Sequence, residues 1–401
     1  MQIWALFWHI SEIDKNPIAL GGIGLARIIP IIIFSLIGGA LADSVDRRKV
    51  MFVTQSFAAL LALTLGLLTQ FRHVTIWYIY AITALQAVAV AFDGPSRQAL
   101  VPNLVPKEDL PNAFSMTFTS FQVGSVLGPA LTGFVIYFAG QEGVYYFNAL
   151  SFVAVLFALF MIGDVPQSFA EKTAGISIAA IQEGVQFILS KPIILSSMLL
   201  DFVATFFASA STLMPLIAKD VLKVGVVEYG YLSAAPAVGA VVVALVLSQI
   251  KHIPKQGLIF LGSVIIFGIA TIVFGLTSSL IIAWIAIATT GAADGVSTII
   301  RNTIRQLQTP DHIRGRMTSV NQIFFLGGPQ LGEVEAGGVA QFFGAPFAVI
   351  TGGIGCILGT FLIIWKYPQL IKFNGDEPIE AGNLSTPSTG ASIMVNRARK
   401  P

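Results

Sequence analysis

Eleven apolar stretches follow one another along this chain, near 18–42, 49–70, 74–96, 112–139, 144–163, 193–218, 229–250, 256–276, 279–300, 317–342 and 346–366. Each approaches or exceeds the ~20 residues that carry a helix across a hydrocarbon layer. A backbone in lipid has to satisfy its own hydrogen bonds, which leaves helices or a closed barrel. Barrel strands read as short alternating segments, and these runs do not alternate. Charge agrees: Asp, Glu, Lys and Arg make up 11% of the chain and mean hydropathy is +0.80, whereas soluble domains carry about 25% charged residues. So little charge cannot cover a water-facing surface. The reading is an all-α membrane protein. Ahead of the full spans lies Met1 to Ile10, MQIWALFWHI, apolar but half a span long. It is read as a first spanning helix lacking its beginning; an interfacial anchor with Trp4 and Trp8 among the headgroups is the alternative.

Basic residues orient the stack. With an outward-going first helix, eighteen of the 23 Lys and Arg fall on one side, from Arg47, Arg48 and Lys49 to Arg314, Arg316 and the tail. Lys15, Arg72, Lys219 and Lys223 fall on the other, and Arg27 lies within a span. The crowded side is the cytoplasm by the positive-inside rule, with both termini there. No cleavable signal peptide is visible. The lone Cys356 allows no intrachain disulfide, and a net charge of +2 gives no reason to expect nucleic acid. The chain divides into a helix bundle over 1–163, a linker over 164–192, a second bundle over 193–370 and a polar tail over 371–401, expected to be disordered. Within the linker, Ile178, Ile181, Val185 and Leu189 recur at helical spacing beside Gln182, Glu183 and Gln186, predicting an amphipathic surface helix.

The halves echo each other. Asp93-Gly94 recurs as Asp294-Gly295, Met116-Thr117 as Met317-Thr318, Gln122 as Gln322, and Gly128-Pro129 as Gly328-Pro329, always offset by 200 or 201 residues. Matched spans run in the same direction, so each half needs an even number of helices. Six plus six fits if the short opening segment counts as the first. Parallel repeats with a site near the midplane between them describe a two-bundle secondary transporter.

After the second span, Gly39-Ala-Leu-Ala-Asp43-Ser-Val-Asp-Arg47-Arg48-Lys49 resembles the signature loop of the major facilitator superfamily, with Ser44 and Asp46 at its usual basic and glycine positions. Glycine admits a neighbouring helix, Asp43 can face a helix N-terminus or an arginine, and Arg47 can pair with an acid. The resemblance implies a cytoplasmic latch; the plain alternative is a positive anchor. Asp93 and Arg97 lie a turn apart and can extend that latch through Arg47, with Asp294 and Arg301 mirroring them. Proton binding at Asp93 is the competing role. The fifth span carries Gly124, Gly128, Pro129 and Gly133, a smooth face with a bend. It resembles the motif of facilitator antiporters, which implies export; tight packing at a kink is the alternative. The stretch from Arg301 through Arg316 is similar to the branch that includes the enterobactin exporter and macrolide-efflux proteins. That resemblance implies twelve helices, a bacterial inner membrane and proton-driven export.

Charge inside a span is costly, roughly 3 kcal/mol or more per group, and marks function by default. Arg27, Asp201, Glu333 and Glu335 are such groups. An acid in low dielectric can exchange a proton near neutral pH. Asp201 and one of the two glutamates are therefore candidates for proton coupling, with Arg27 as substrate or counter-ion partner. A fixed Arg27–acid bridge that only fastens helices is the alternative. Gln86, Gln122, Asn148, Asn321 and Gln322 can line a cavity, and Phe206, Phe207, Phe324 and Phe325 can wall it; packing explains each as well. His9 reads as a packing residue at the outer end.

The expected function is secondary export of a small amphipathic molecule, either a siderophore-like metabolite or a drug. The working unit is a single copy in the lipid bilayer, with a small-molecule substrate and protons as partners. No cofactor is expected beyond the proton gradient. A non-transporting receptor on the same fold is the other class. No catalytic residue and no metal site are expected, for no HExxH or Ser/His/Asp set occurs and the four histidines are scattered. ATP-driven transport has no phosphate-cradling loop to support it.

Overall fold

A computed structural model describes residues 1–163, 165, 178–208, 211–250 and 253–374; several of these, Gly39, Asp43, Arg314 and Gln322 among them, are described by backbone alone. The first part of the linker and the tail from 375 lie outside the described residues, as do the side chains of Ile178 and Ile181. Everything regular among the described residues is helical. The chain runs through α1 (Gln2–Ile13), α2 (Pro17–Ser44), α3 (Arg47–Gln70), α4 (Ile76–Leu100), α5 (Leu110–Ile162), α6 (Ile178–Ser190) and α7 (Pro192–Phe207). It continues through α8 (Met214–Leu216), α9 (Val226–Ser248), α10 (Gln256–Leu276), α11 (Leu280–Gln308), α12 (Asp311–Phe343), α13 (Ala345–Lys366) and α14 (Gln369–Lys372). Among the described residues, eight helices are long and apolar enough to cross a membrane. Local signals set their starts: Asn16 accepts from the Ile18 N–H with Pro17 at the first turn, and Asp46 accepts from the Arg48 N–H.

The 53 residues of α5 would extend about 80 Å if straight. They do not. Gly140, at φ 68° and ψ 179°, breaks the helix into limbs over 110–139 and 141–162. Both ends of α5 return to one end of the bundle: Leu159 O accepts from Arg48 at the start of α3, and the first residues of α5 follow the 3-10 turn after α4. Such backbone is open to glycine and strained for any side chain. Gly344, at φ 86°, makes the equivalent turn between α12 and α13.

One region departs from the sequence reading. The seventh span, read as continuous over 193–218, ends its first helix at Phe207 and resumes at Met214 before a π turn over Ile217–Val221. Pro215, in the first turn of α8, has no N–H to continue the ladder. In the linker, α6 meets α7 at 102°, the angle of a helix lying beside a spanning one. Ile188 rather than Val185 or Leu189 is its buried contact, packing with Ile194, Met198, Met317 and Val320. Val185 and Leu189 face outward, where the apolar stripe of a surface helix can meet lipid.

The halves join by α2 against α12 and by α5 against α9. Glycine makes both seams close. A Cβ on Gly337 would stand 3.0 Å from the Gly21 Cα, and one on Gly133 would stand 2.6 Å from Val226 O. One buried core, from Leu6 and Leu20 through Leu65 and Tyr145 to Tyr229, Phe274 and Val349, includes both halves. It lies at the end away from the basic loops. At the basic end, the clusters around Met51 and Leu159, around Phe260 and Ile304, and around Ile188 and Met317 each stay within one half. The joint core seals one end; the other has no shared core among the described residues.

Candidate functional site

Arg27 and Glu333 meet across the α2–α12 seam at 3.4 Å. Glu333 is 5% exposed, whereas a third of the Arg27 side chain remains accessible. Close approach there is again glycine's doing, since Gly24 lies against Glu333 and Gly21 against its carbonyl. Arg27 also faces a cavity of about 230 Å³ with Gln2, Thr83 and Gln86. Gln2 ties this wall together: it donates to Gln86 at 2.8 Å and accepts from Asn148 on the second limb of α5. Glu335, two residues on, points elsewhere and is half-buried without an ion pair among the described residues.

Asp201 pairs with Arg301, both side chains 3% exposed or less. Arg301 further donates to Thr298 at 2.8 Å and Ser297 at 3.2 Å, and touches Asp294 at 3.5 Å. All of these belong to the second half, so they fasten α7 to α11. Asp294 is much more open, at 47%, and lines a cavity of about 210 Å³ with Thr205, Ser211, Thr271 and Thr290. Met1, Trp4, Gly124, Pro129, Ser233 and Pro236 enclose a larger one, about 500 Å³, where α1 and α5 meet α9.

At the basic end, Asp93 is buried. It accepts from Arg97 at 2.6 Å, Gln55 at 2.7 Å and Thr54 at 3.2 Å. Arg47 reaches the end of α4, donating to Asn103 at 2.9 Å and Ala99 O at 3.2 Å. Asp43 and Gly39 are outside the described side chains. In the fifth span, Gly128 adjoins Met1, Gly133 adjoins α9, and Gly124 opens on empty space. Of the polar set, Gln122 lies with Phe118 and Leu245 in a groove between α5 and α9, and Asn321 accepts from Arg305. Phe206 stacks on Phe202 and meets Phe207 edge-on, and Phe324 meets Phe202.

Sequence reasoning missed a clamp at the sealed end. Lys219 donates to Ser11 at 2.8 Å, lies 3.9 Å from Glu12 and caps the Trp8 ring at 4.1 Å. Burial lowers its affinity for a proton from the ordinary lysine value, opposed by Glu12 and Asp220. Nearby, the Tyr229 hydroxyl donates to Trp4 O, and buried His9 meets the Tyr145 hydroxyl at 3.0 Å. Lys219 was visible only as one of four basic residues on the sparse side; nothing local pairs it with α1. Among the described residues no group of His, Cys, Asp and Glu can hold a metal ion.

This arrangement of two halves, with charges at the seam and cavities beside it, has a counterpart among known proteins. The family described as transmembrane secretion effector, a major facilitator family, matches residues 1–388. The chain belongs to the major facilitator superfamily. Facilitator relatives similar in sequence include the enterobactin exporter EntS of Citrobacter koseri, 24% identical over 347 residues, covering 86% of this chain and 83% of that one. EntS of Shigella boydii is 24% identical over 343 residues, covering 86% and 82%. In fold, the chain is similar to a bacterial homolog of the human lysosomal transporter Spinster, solved inward-facing and occupied, with TM-score 0.69, 14% identity and coverage of 92% and 97%. It is also similar to the nucleoside transporter NupG, with TM-score 0.67, 12% identity and coverage of 93% and 96%. The chain is a membrane transporter of this superfamily.

Proposed function

We propose that this facilitator exports a small amphipathic molecule from the cytoplasm by proton-coupled alternating access, in a bacterial inner membrane with both termini cytoplasmic. The observation that carries the reading is the Arg27–Glu333 pair at the seam between halves. One Glu333 oxygen meets Arg27 while the other is buried without a hydrogen-bond partner among the described residues. A proton taken there releases Arg27, which faces the cavity, and loosens α2 from α12. Coupling then follows from one group that is either paired or protonated. The joint core at the sealed end and the separate cores at the basic end fit an inward-open state. Asp201, paired inside its own half, acts in this scheme as a fastener. The relatives' names favour a siderophore of the enterobactin kind over a macrolide.

The test is transport into proteoliposomes with an acidic lumen, offered enterobactin or a macrolide. Uphill accumulation should require the gradient and should vanish in Glu333→Gln, while downhill exchange continues. Accumulation untouched by Glu333→Gln, or by collapsing the gradient, refutes the coupling.

A further inference from the structure

We propose that the cavity inside the second half is a subsite for a monovalent cationic group, with the Asp294 carboxylate as its anionic wall. This rests on the reading above that the cavities hold the transported molecule. Asp294 lies 14 residues into α11, about 21 Å along the helix, at a depth where charge needs a purpose. Its only ion-pair contact among the described residues is the 3.5 Å approach of Arg301. Arg301 itself is taken up by Asp201, Ser297 and Thr298. Arg305, the next cation along α11, donates to Asn302 and Asn321 and does not line the cavity, so Asp294 is the charged side chain among the described residues of its wall.

The hydroxyls match that charge. Thr205, Thr271 and Thr290 each donate within their own helix, to Asp201 O at 2.8 Å, Phe267 O at 2.9 Å and Ile287 O at 2.7 Å. Their protons are spent on backbone, so lone pairs are what they offer to a guest. Ser211 adds a further hydroxyl. Phe267 and Ile287 supply an apolar wall, and an aromatic face welcomes a cation. A carboxylate, acceptor oxygens and a ring in about 210 Å³ suit an ammonium group or an inorganic cation. They repel a carboxylate. The cavity of the first half, with the Arg27 guanidinium, has the opposite character.

The full chain in lipid nanodiscs is titrated by calorimetry with benzyltrimethylammonium, with benzenesulfonate as the anionic counterpart. Wild type should bind the cation and not the anion. Asp294→Asn should weaken it at least about tenfold and Asp294→Glu by no more than about threefold, as one desolvated charge contact requires. Thr290→Val, which keeps the charge, should weaken binding by a smaller factor. A sodium titration identifies the source: one-for-one displacement assigns the site to an inorganic ion, and no displacement assigns it to an organic ammonium group. Unchanged binding in an Asp294→Asn protein whose Cys356 stays protected from thiol reagents overturns the proposal. So does failure of wild type to bind, or Asp294-dependent binding of benzenesulfonate. Binding is read without a gradient, so a failed proton-driven flux does not touch this result.

Discussion

Replacing Asp201 by alanine removes one member of a pair that is nearly inaccessible on both sides. Losing one partner of a buried pair costs about 3–5 kcal/mol, because the other charge stays behind without water. Here Arg301 keeps Thr298, Ser297 and the 3.5 Å contact with Asp294. The loss should therefore fall near the lower end, about 3 kcal/mol. The double variant Asp201→Leu with Arg301→Met should recover most of it, since apolar residues of similar volume are close to neutral in such a site. The protein carries its own reporter. Cys356 is the single cysteine, fully buried, and it shares a core with Leu200 and Ala204 on the helix that carries Asp201. Its labelling by a thiol reagent across an SDS titration in mixed micelles reads the unfolding of this half. A single variant within about 0.5 kcal/mol of wild type, the bound for an inconsequential substitution, would show that the pair is not what fastens α7 to α11. A double variant weaker than the single one refutes the argument outright.

Three further outcomes follow from the geometry. Gly21→Val would bring a Cβ to 2.8 Å from Glu333 O, which is backbone and cannot swing aside; spin-label distances between α2 and α12 should lengthen at the sealed end, and unchanged distances would count against the seam. Gly344→Ala should cost about 1–3 kcal/mol in the Cys356 assay, and Gly140→Ala a similar amount in thermal melts of the whole chain, the strain of a side chain at positive φ with extended ψ. Lys219 holds its proton less tightly when folded, so just below its ordinary value of 10.5 the unfolded chain binds more protons and stability rises with pH. Thermal melts should show that rise flatten in Lys219→Met, which keeps the stem over Trp8; an unaltered slope assigns it to another group.

Which stretches cross the membrane, and that they come as two similar sets, was legible in the chain itself. Apolar length is a local property, and a repeat such as Asp93 with Asp294 needs only counting. Arg27, Asp201 and Glu333 could be singled out for a related reason: charge in an apolar run is costly wherever the helix ends up. Their partners were another matter. Spacing set Arg301 beside Asp294, seven residues away on the same helix, yet folding presents it to Asp201, a hundred residues earlier. Spacing marked the apolar stripe of α6 with Val185 and Leu189, but that Ile188 is the residue buried against α7 and α12 came only with packing. The break after Phe207, the clamp of Lys219 on α1 and the joining of Arg27 to Glu333 were likewise decided by tertiary structure. A helix advertises its faces in its own sequence, but which face meets which neighbour depends on the rotation and approach of both helices, and those emerge only when every helix has packed.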